Sequence, residues 1–215
     1  MNNCFHLKLS MIKSKKNQDW KGTENSIFVT NGCSSHSQTP RQIHDFYATD
    51  PQAIDGLLNF YQLPNPILEP CCGNGSLSRR LEEFGFTVIS EDLFEYGFGT
   101  SGIDFLQRNT MPDDCDSIVS NPPYNQALDF VLHALDILPM GGLLCMFLKT
   151  TFLEGQRRYH SLFSQYPPEA ILQFVSRIPC AKNGEFSAMH GSAVSYAWFV
   201  WKKGSYGQPL VRWIE

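Results

Sequence analysis

The sequence predicts an α/β protein: a doubly wound, mostly parallel β-sheet with helices on both faces. From residue 44 onward, short apolar segments alternate with amphipathic ones, which is typical of strand–helix–strand units. The chain has 215 residues, 42% of them hydrophobic, so it can build one α/β domain with a sizeable core. The final apolar segment is expected to pair as in a hairpin, which would make the last strand antiparallel.

The helices are predicted from their apolar spacing and from residues that suit their ends. Pro51 fits a first helical turn, and either Asp50 or Thr49 can cap it. The start of that helix would also accept a carboxylate ligand. A later helix places its apolar residues on one face and ends before Gly141-Gly142. Four helices are expected, over Asp50–Tyr61, about Ser76–Phe84, Gln126–Leu138 and Gln156–Phe163.

Seven strands are expected, over Pro66–Glu69, Phe86–Ser90, Asp104–Leu106, Ser117–Ser120, Leu143–Leu148, Ile171–Val175 and Ala193–Trp201. The third is the weakest, and the fifth is fully apolar, as for a strand buried on both faces. Residues 41–215 are expected to form a single domain. Residues 1–40 are rich in Lys, Asn, Ser, Gln and Thr, which predicts a flexible N-terminal extension.

Composition and charge exclude several classes of protein. The formal net charge of -4 argues against a generally basic nucleic-acid coat, but it leaves room for a local basic face. Seven cysteines without a CxxC pair fit neither a disulfide framework nor a zinc site, so reduced thiols in the cytoplasm are expected. No apolar stretch reaches about 18 residues, so no membrane span is predicted.

A glycine turn follows the first predicted strand of the sheet, in Ile67-Leu68-Glu69-Pro70-Cys71-Cys72-Gly73-Asn74-Gly75. Its glycines let a ligand approach the main chain, and ligands of such sheets lie beyond the carboxyl ends of the strands. The match to a dinucleotide-binding fingerprint is poor, because Leu77-Ser78 stand where its third glycine belongs. Glu69 would repel a pyrophosphate but suits a cation or hydroxyl groups. A sulfonium amino-acid nucleoside is therefore favoured over a nicotinamide dinucleotide.

Asp92 and Asp104, two acidic residues near the second and third predicted strands, are candidates for binding the same ligand. Asp92 can accept hydrogen bonds from ribose hydroxyls, with Glu91 as its rival. Asp104 either accepts a hydrogen bond from an adenine amine, with Phe105 against the ring, or simply caps a helix.

The most specific motif is Asn121-Pro122-Pro123-Tyr124, after the fourth predicted strand. Pro123 forces Pro122 into an extended conformation, and neither has an N–H, so the Pro122 carbonyl is held stiffly without a local turn partner. With the side-chain oxygen of Asn121, it offers two acceptors for the hydrogens of an –NH2 group. The nitrogen lone pair would then face an electrophile, and Tyr124 offers a ring for base stacking. A plain proline turn is the alternative interpretation.

These segments together resemble one family. The order Phe46-Tyr47-Ala48-Thr49-Asp50-Pro51, Glu69-Pro70-Cys71-Cys72-Gly73-Asn74-Gly75, Ser90-Glu91-Asp92-Leu93, Asp104-Phe105-Leu106, Asn121-Pro122-Pro123-Tyr124 is similar to that of the gamma-ordered class I methyltransferases acting on the N6 amine of DNA adenine. The resemblance covers about residues 44–150. Later stretches, from Phe147 to Gly155 and from Cys180 to Phe186, are similar to small phage or prophage adenine methylases.

The resemblance implies a Rossmann-like, seven-stranded sheet, S-adenosylmethionine as the cofactor and DNA as the partner. It implies direct transfer to a flipped-out base, without a metal or a nucleophilic cysteine. The cofactor pocket would be lined by Phe46, Tyr47, Thr49, Glu69, Cys71, Gly73, Gly75, Asp92, Asp104, Phe105 and Asn121. The target amine would be held by the catalytic motif Asn121, Pro122, Pro123 and Tyr124.

Further candidates for substrate contact lie after the motif. Arg157, Arg158 and Lys182 either meet phosphates or form ordinary exposed surface, and Phe186 is a candidate second wall beside the base. The core sheet uses most of the residues that follow Tyr124, so no separate target-recognition domain and a short or loose target specificity are expected. We expect a monomer or weak dimer in a bacterial cytoplasm, with phage or prophage origin as one option.

Three alternatives stay open. The Asn-Pro-Pro-Tyr motif also occurs in enzymes that methylate RNA adenine. It occurs as well in enzymes that methylate a glutamine amide in proteins, and these carry a helical domain before the core. A binding module of the same fold without catalysis is the third alternative, although the intact Asn121 and Tyr124 argue against it.

Overall fold

The computed structural model describes residues 47–178, 180–182 and 194–215. The predicted N-terminal extension and the candidate residues Phe46 and Phe186 lie outside the described residues. For Tyr47 and Lys182, the backbone alone is described. The predicted division into an extension and a single domain therefore stays a prediction.

The four predicted helices are confirmed, each close to its expected position. They are α1 Gln52–Leu58, α2 Ser76–Glu83, α3 Ala127–Ile137, and α4 Gln156–Arg158, which continues as a π-helix over Tyr159–Phe163. Asp50 supports the start of α1, because its Oδ1 accepts a 3.0 Å hydrogen bond from the backbone N–H of Gln52. Of the two capping candidates, Asp50 is thus the one that contacts the helix, which leaves the Thr49 hydroxyl for another partner.

Strands of the described residues form a seven-stranded sheet and a two-stranded ribbon. In chain order they are β1 Tyr47–Thr49, β2 Ile67–Glu69, β3 Val88–Ser90, β4 Ser117–Ser120, β5 Leu143–Lys149, β6 Ala170–Phe174, β7 Cys180–Lys182, β8 Tyr196–Lys202 and β9 Leu210–Ile214. The sheet order is β3-β2-β4-β5-β8-β6-β9. Its pairings are parallel except at β8, which is antiparallel to both neighbours. The predicted Rossmann-like fold class is confirmed, including the antiparallel strand at the predicted Ala193–Trp201 segment.

The central strands send alternate side chains into two cores, one on each face of the sheet. Along β5, Cys145 and Phe147 join the core that contains residues of α1 and α2. Leu144, Met146 and Leu148 join the core that contains residues of α3. Since both faces are covered, the strand is apolar along almost its whole length, as the sequence indicated.

One predicted strand is wrong, and three observed strands, β1, β7 and β9, were not predicted. Asp104–Leu106 is not a strand, because Phe105–Gln107 forms a 3₁₀ turn that Asp104 caps by accepting a 3.0 Å hydrogen bond from the Leu106 N–H. The capping interpretation of Asp104 is the one that the structure bears out. The seventh strand is instead β9, an edge strand in which Val211 and Trp213 are 52% and 65% exposed. Such a segment lacks the buried apolar run that identifies interior strands.

The sheet order sets the position of the candidate site. β2 and β4 are parallel neighbours, with Leu68 opposite Ile118. Their carboxyl ends therefore meet at one edge, and the glycine turn and the Asn-Pro-Pro-Tyr turn leave the sheet side by side.

Candidate active site

A cavity of about 270 Å³ lies beyond the carboxyl ends of β2 and β4. It brings together residues from five separate predicted segments. The predicted site residues in its lining are Thr49, Glu69, Cys71, Asp92, Asp104, Phe105, Asn121, Pro122, Pro123 and Tyr124. Most candidate residues whose side chains the structure describes thus line one cavity. Its position beyond the strand ends is where ligands bind in sheets of this kind.

The glycine turn adopts conformations that favour glycine. Gly75 has a φ of 82°, and a Cβ there would lie 2.5 Å from the Phe98 ring. Gly73 has a φ of 52°, and its N–H donates a 2.9 Å hydrogen bond to Oδ2 of Asp92. A side chain at either position would strain the turn. The turn after β2 is consequently fixed to the loop after β3.

Asp92, and not its neighbour Glu91, lies at the cavity. It is 8% exposed, and its Oδ1 accepts a 2.9 Å hydrogen bond from the backbone N–H of Phe94. Burial raises the pKa of the Asp92 carboxyl, although hydrogen bonds from the backbone act in the opposite direction. The Glu91 carboxylate instead forms an ion pair with Arg108. A carboxylate has about four acceptor positions, so Asp92 can still accept from a ligand.

Glu69 is almost completely buried, at 1% exposed, where β2 ends. Its carboxyl accepts a hydrogen bond from the Ser78 hydroxyl, which lies 2.7 Å from the Ser90 hydroxyl. Burial raises the pKa of Glu69 to about 8, although the bond from Ser78 lowers it. The group is therefore mostly protonated at neutral pH, and a cation bound beside it would favour its ionised form.

The adjacent cysteines of the turn are not activated. Burial raises the pKa of the Cys72 thiol to about 12 and that of Cys71 well above its ordinary value. Because the thiolate is the nucleophilic form, neither residue is suited to attack a substrate at neutral pH. The described cysteines, Cys71, Cys72, Cys115, Cys145 and Cys180, are all free thiols.

Asp104 and Phe105 reach the cavity from the capped 3₁₀ turn. Oδ1 of Asp104 is engaged by the Leu106 N–H, while the residue itself lines the cavity. Phe105 is 2% exposed and stacks on Phe130 with 5.3 Å between ring centroids. Capping and ligand contact can thus coexist at Asp104, with Phe105 forming part of the cavity floor.

Asn121 follows β4 and is held by a residue from a distant part of the chain. Its Nδ2 donates a 2.8 Å hydrogen bond to Oγ1 of Thr49. In the turn that follows, the Pro123 carbonyl accepts a 3.0 Å hydrogen bond from the Gln126 N–H. Among the described residues, no backbone N–H donates to the Pro122 carbonyl. The Pro122 carbonyl, next to Asn121, thus has no backbone partner in this turn, while its stiffness stays a prediction.

The Tyr124 ring packs between aromatic and charged groups. Its centroid lies 5.7 Å from that of Tyr196, and Nζ of Lys149 lies 4.7 Å from it. Its hydroxyl is 3.6 Å from Sγ of Cys180. Burial raises the pKa of Tyr124 well above its ordinary value, so the phenol stays neutral.

Two predicted substrate residues lie away from the cavity lining. Arg157 is exposed and 3.7 Å from Oδ1 of Asp129. The Arg158 guanidinium donates to the carbonyls of Thr151 and Glu154, which ties it to its own loop. A phosphate contact by either arginine stays a prediction, as it does for Lys182.

Sequence reasoning missed several cavity residues. Apolar and aromatic side chains after Asp92 also line the cavity, namely Leu93, Phe94, Tyr96 and Ile103. The available signal was their place beside the acidic candidates, because Leu93, Phe94 and Tyr96 closely follow Asp92 and Ile103 directly precedes Asp104. Lys149 does not line the cavity but was also missed, since its place beside Tyr124 depends on the order of β4 and β5 in the sheet.

In the described ranges, no group of three or more potential metal ligands is found. No helix in the described part of the chain combines the length and apolar character that a membrane crossing requires.

Solved structures share this fold at low sequence identity. A candidate class I S-adenosylmethionine-dependent methyltransferase from Listeria monocytogenes has a TM-score of 0.53 and 12% identity, over 88% of this chain and 71% of that one. The methyltransferase subunit of a type I restriction-modification system from Streptococcus thermophilus has a TM-score of 0.54 and 13% identity, over 77% of this chain and 47% of that one. An Agrobacterium tumefaciens protein, itself predicted to be an O-methyltransferase, has a TM-score of 0.50 and 15% identity, over 77% and 86%.

No family model matches the sequence, and no curated protein matches it. At these identities the structural likeness shows the fold alone, which is that of class I S-adenosylmethionine-dependent methyltransferases.

Proposed function

We propose that this protein transfers a methyl group from S-adenosylmethionine to the exocyclic N6 amine of adenine in DNA. One observation carries the proposal: Asn121 and Tyr124 line the same cavity as Glu69 and Asp92. Amine acceptors and an aromatic ring thereby stand beside carboxyl groups suited to a sulfonium nucleoside. The fold likeness to class I methyltransferases supports the methyl-transfer part of this proposal.

The residues of the glycine-turn side fit the cofactor. Asp92 would accept from the ribose hydroxyls, and the buried Glu69 would face the cationic part of the molecule. Phe94 and Ile103 would lie against the adenine ring, with Asp104 near its amine. When bound, S-adenosylmethionine supplies an electrophilic methyl group on a sulfonium.

Asn121 and Pro122 would hold the target amine by accepting its two hydrogens. This draws the nitrogen lone pair out of conjugation with the ring and directs it at the methyl group. Tyr124 would stack on the base, which reaches the cavity by flipping out of the duplex at a cost of about a few kcal/mol. Catalysis would come from positioning and from acceptors fixed before the reaction.

Lys149 supports a nucleic acid as the substrate. It ends β5, and its ammonium lies over the ring of Tyr124, which lines the cavity. No carboxylate of the described residues forms a salt bridge with it. A cation in this place favours a polyanion over the neutral glutamine side chain of a protein.

The test is a transfer assay with three substrates. Purified protein is incubated with methyl-labelled S-adenosylmethionine and with DNA, RNA or a glutamine-rich protein, and the nucleic acids are digested to nucleosides. We expect the label in N6-methyladenine from DNA. Label in RNA nucleosides or in protein would redirect the proposal to that substrate, and absence of transfer to all three would contradict it.

A further inference from the structure

Thr49 connects the β1–β7 ribbon with the Asn-Pro-Pro-Tyr turn. It is the last residue of β1, is 2% exposed, and pairs with Cys180 of β7. Among the described residues, β1 and β7 pair with each other and not with the large sheet. The ribbon nevertheless reaches the Asn-Pro-Pro-Tyr turn, because Oγ1 of Thr49 accepts a 2.8 Å hydrogen bond from Nδ2 of Asn121.

The direction of this hydrogen bond matters because a side-chain amide has two ends of similar size and opposite hydrogen-bonding character. An Asn121 amide turned by 180° would present N–H groups to the substrate amine, where an acceptor is needed. A partner that only accepts from Nδ2 excludes the turned orientation. A hydroxyl can donate as well as accept, so its own proton must be directed elsewhere.

Cys180 offers that proton a partner, because it pairs with Thr49 across the ribbon. Burial raises the pKa of the Cys180 thiol, whereas the Thr49 hydroxyl lowers it, as a hydrogen-bond donor to the sulfur does. The same sulfur is 3.6 Å from the Tyr124 hydroxyl. A Thr49 proton directed to this sulfur leaves the oxygen lone pairs for Nδ2 of Asn121. The ribbon thus contacts both functional side chains of the turn, the amide and the aromatic ring.

We propose that Thr49 is a positioning residue that holds the Asn121 amide with its oxygen toward the substrate amine. This role rests on the proposed function and adds to it. The family resemblance implies a place for Thr49 in the cofactor pocket, whereas the hydrogen bond assigns it to the amine-holding side. The two assignments predict different kinetics.

The kinetic test compares two substitutions at one position. Thr49→Val keeps the shape but removes the acceptor, and we expect kcat to fall about 10- to 100-fold, as for loss of a buried hydrogen bond. The Kd for S-adenosylmethionine, measured by calorimetry, is expected to change less than about twofold. Thr49→Ser keeps the hydroxyl and is expected to recover most of the lost rate. Thr87→Val, the same change at an exposed position before β3, is the matched control.

The possible outcomes separate this role from the proposed function. If the wild-type protein transfers methyl groups and Thr49→Val does so equally fast, the positioning role is overturned while the proposed function stands. A loss of cofactor affinity that matches the loss of rate overturns it too, in favour of a cofactor contact. If the wild type transfers no methyl group to any substrate, the proposed function itself fails.

A measurement without activity tests the hydrogen bond directly. In nitrogen-15 spectra, the side-chain amide signals of Asn121, assigned with Asn121→Ala, should move with Thr49→Val and stay near their wild-type positions with Thr49→Ser. The spectra require only folded protein, so they also serve if Thr49→Val is too unstable for kinetics at higher temperature. Unchanged signals in folded Thr49→Val would overturn the proposal.

Discussion

The two sides of the cavity are held by hydrogen bonds between residues that are separated by different lengths of chain. On the glycine-turn side, Gly73 and Asp92 are joined by a hydrogen bond across 19 residues of chain. On the amine-holding side, the bond between Asn121 and Thr49 spans 72 residues. The first bond joins segments that follow the neighbouring strands β2 and β3, while the second also requires the ribbon of β1 and β7. Changes on the second side should therefore reduce transfer without weakening cofactor binding.

The largest expected effect is at Asn121 itself. Asn121→Ala removes one of the two amine acceptors, so we expect kcat to fall by about 10²- to 10³-fold or more, as when a preorganised hydrogen-bonding group is lost. The Kd for S-adenosylmethionine should stay close to that of the wild type. Asn59→Ala, at the exposed end of α1, is the control and should keep full activity. Equal activity of Asn121→Ala and the wild type would remove the basis for the amine-holding side.

A second prediction concerns the free energy of unfolding and the buried carboxyl of Glu69. Its pKa of about 8 lies above the ordinary value of 4.5. Between these values the folded state keeps a proton that the unfolded state releases, so stability falls as pH rises, by about 1.4 kcal/mol per pH unit. Glu69→Gln is neutral throughout and lacks this loss. Its melting temperature should therefore rise relative to the wild type between pH 5 and pH 7.

The comparison of the two melting curves isolates Glu69, because all other titrating groups are shared. Parallel dependence of the melting temperature on pH in both proteins would show that Glu69 ionises normally. A carboxylate that is already charged would then be available to a cation without any proton release.

A third prediction decides between the two acidic candidates of the sequence. Asp92→Asn replaces a carboxylate oxygen by an N–H, so one acceptor for the ribose hydroxyls is lost. The affinity for S-adenosylmethionine should therefore fall about 10- to 100-fold, as for loss of a hydrogen bond to a charged group. Glu91→Gln is the matched control, because Glu91 is paired with Arg108 away from the cavity. Titration calorimetry on both variants measures the difference. A larger loss in Glu91→Gln would reverse the assignment.

Features that depend on short separations along the chain could be predicted from the sequence, and those that depend on long separations could not. Glu69, Gly73 and Asp92 are recognisable because each lies at, or within a few residues of, the carboxyl end of a strand, and sheet topology alone brings strand ends together. The fold class follows from the alternation of strands and helices for the same reason. The partner of Asn121 could not be predicted, because three-residue strands such as β1 and β7 leave no periodic signal and their pairing spans most of the chain.

The segments that were interpreted wrongly are explained by local energetics. Asp104 caps a 3₁₀ turn, and its side-chain acceptor for the Leu106 N–H competes with the extended pairing that a strand would need. β9 was missed because its side chains stay largely exposed, so burial does not impose a strand pattern there. Composition and periodicity report burial, and both of these segments are determined by other interactions.

The smallest expected effect is at Lys149, and it bears on the amine-holding side alone. Lys149→Met removes the ammonium beside Tyr124 and keeps much of the side-chain volume. If the ammonium meets a DNA phosphate, the slope of log kcat/KM against log salt should become shallower by about 0.9. Lys202→Met is the matched control, because Lys202 is exposed at the opposite end of the β5–β8 ladder, across from Leu143. Since salt acts on this contact through counterions alone, identical slopes for both variants and the wild type would exclude a phosphate at Lys149, and a shallower slope only in Lys149→Met would identify the amine-holding side as the side that DNA approaches.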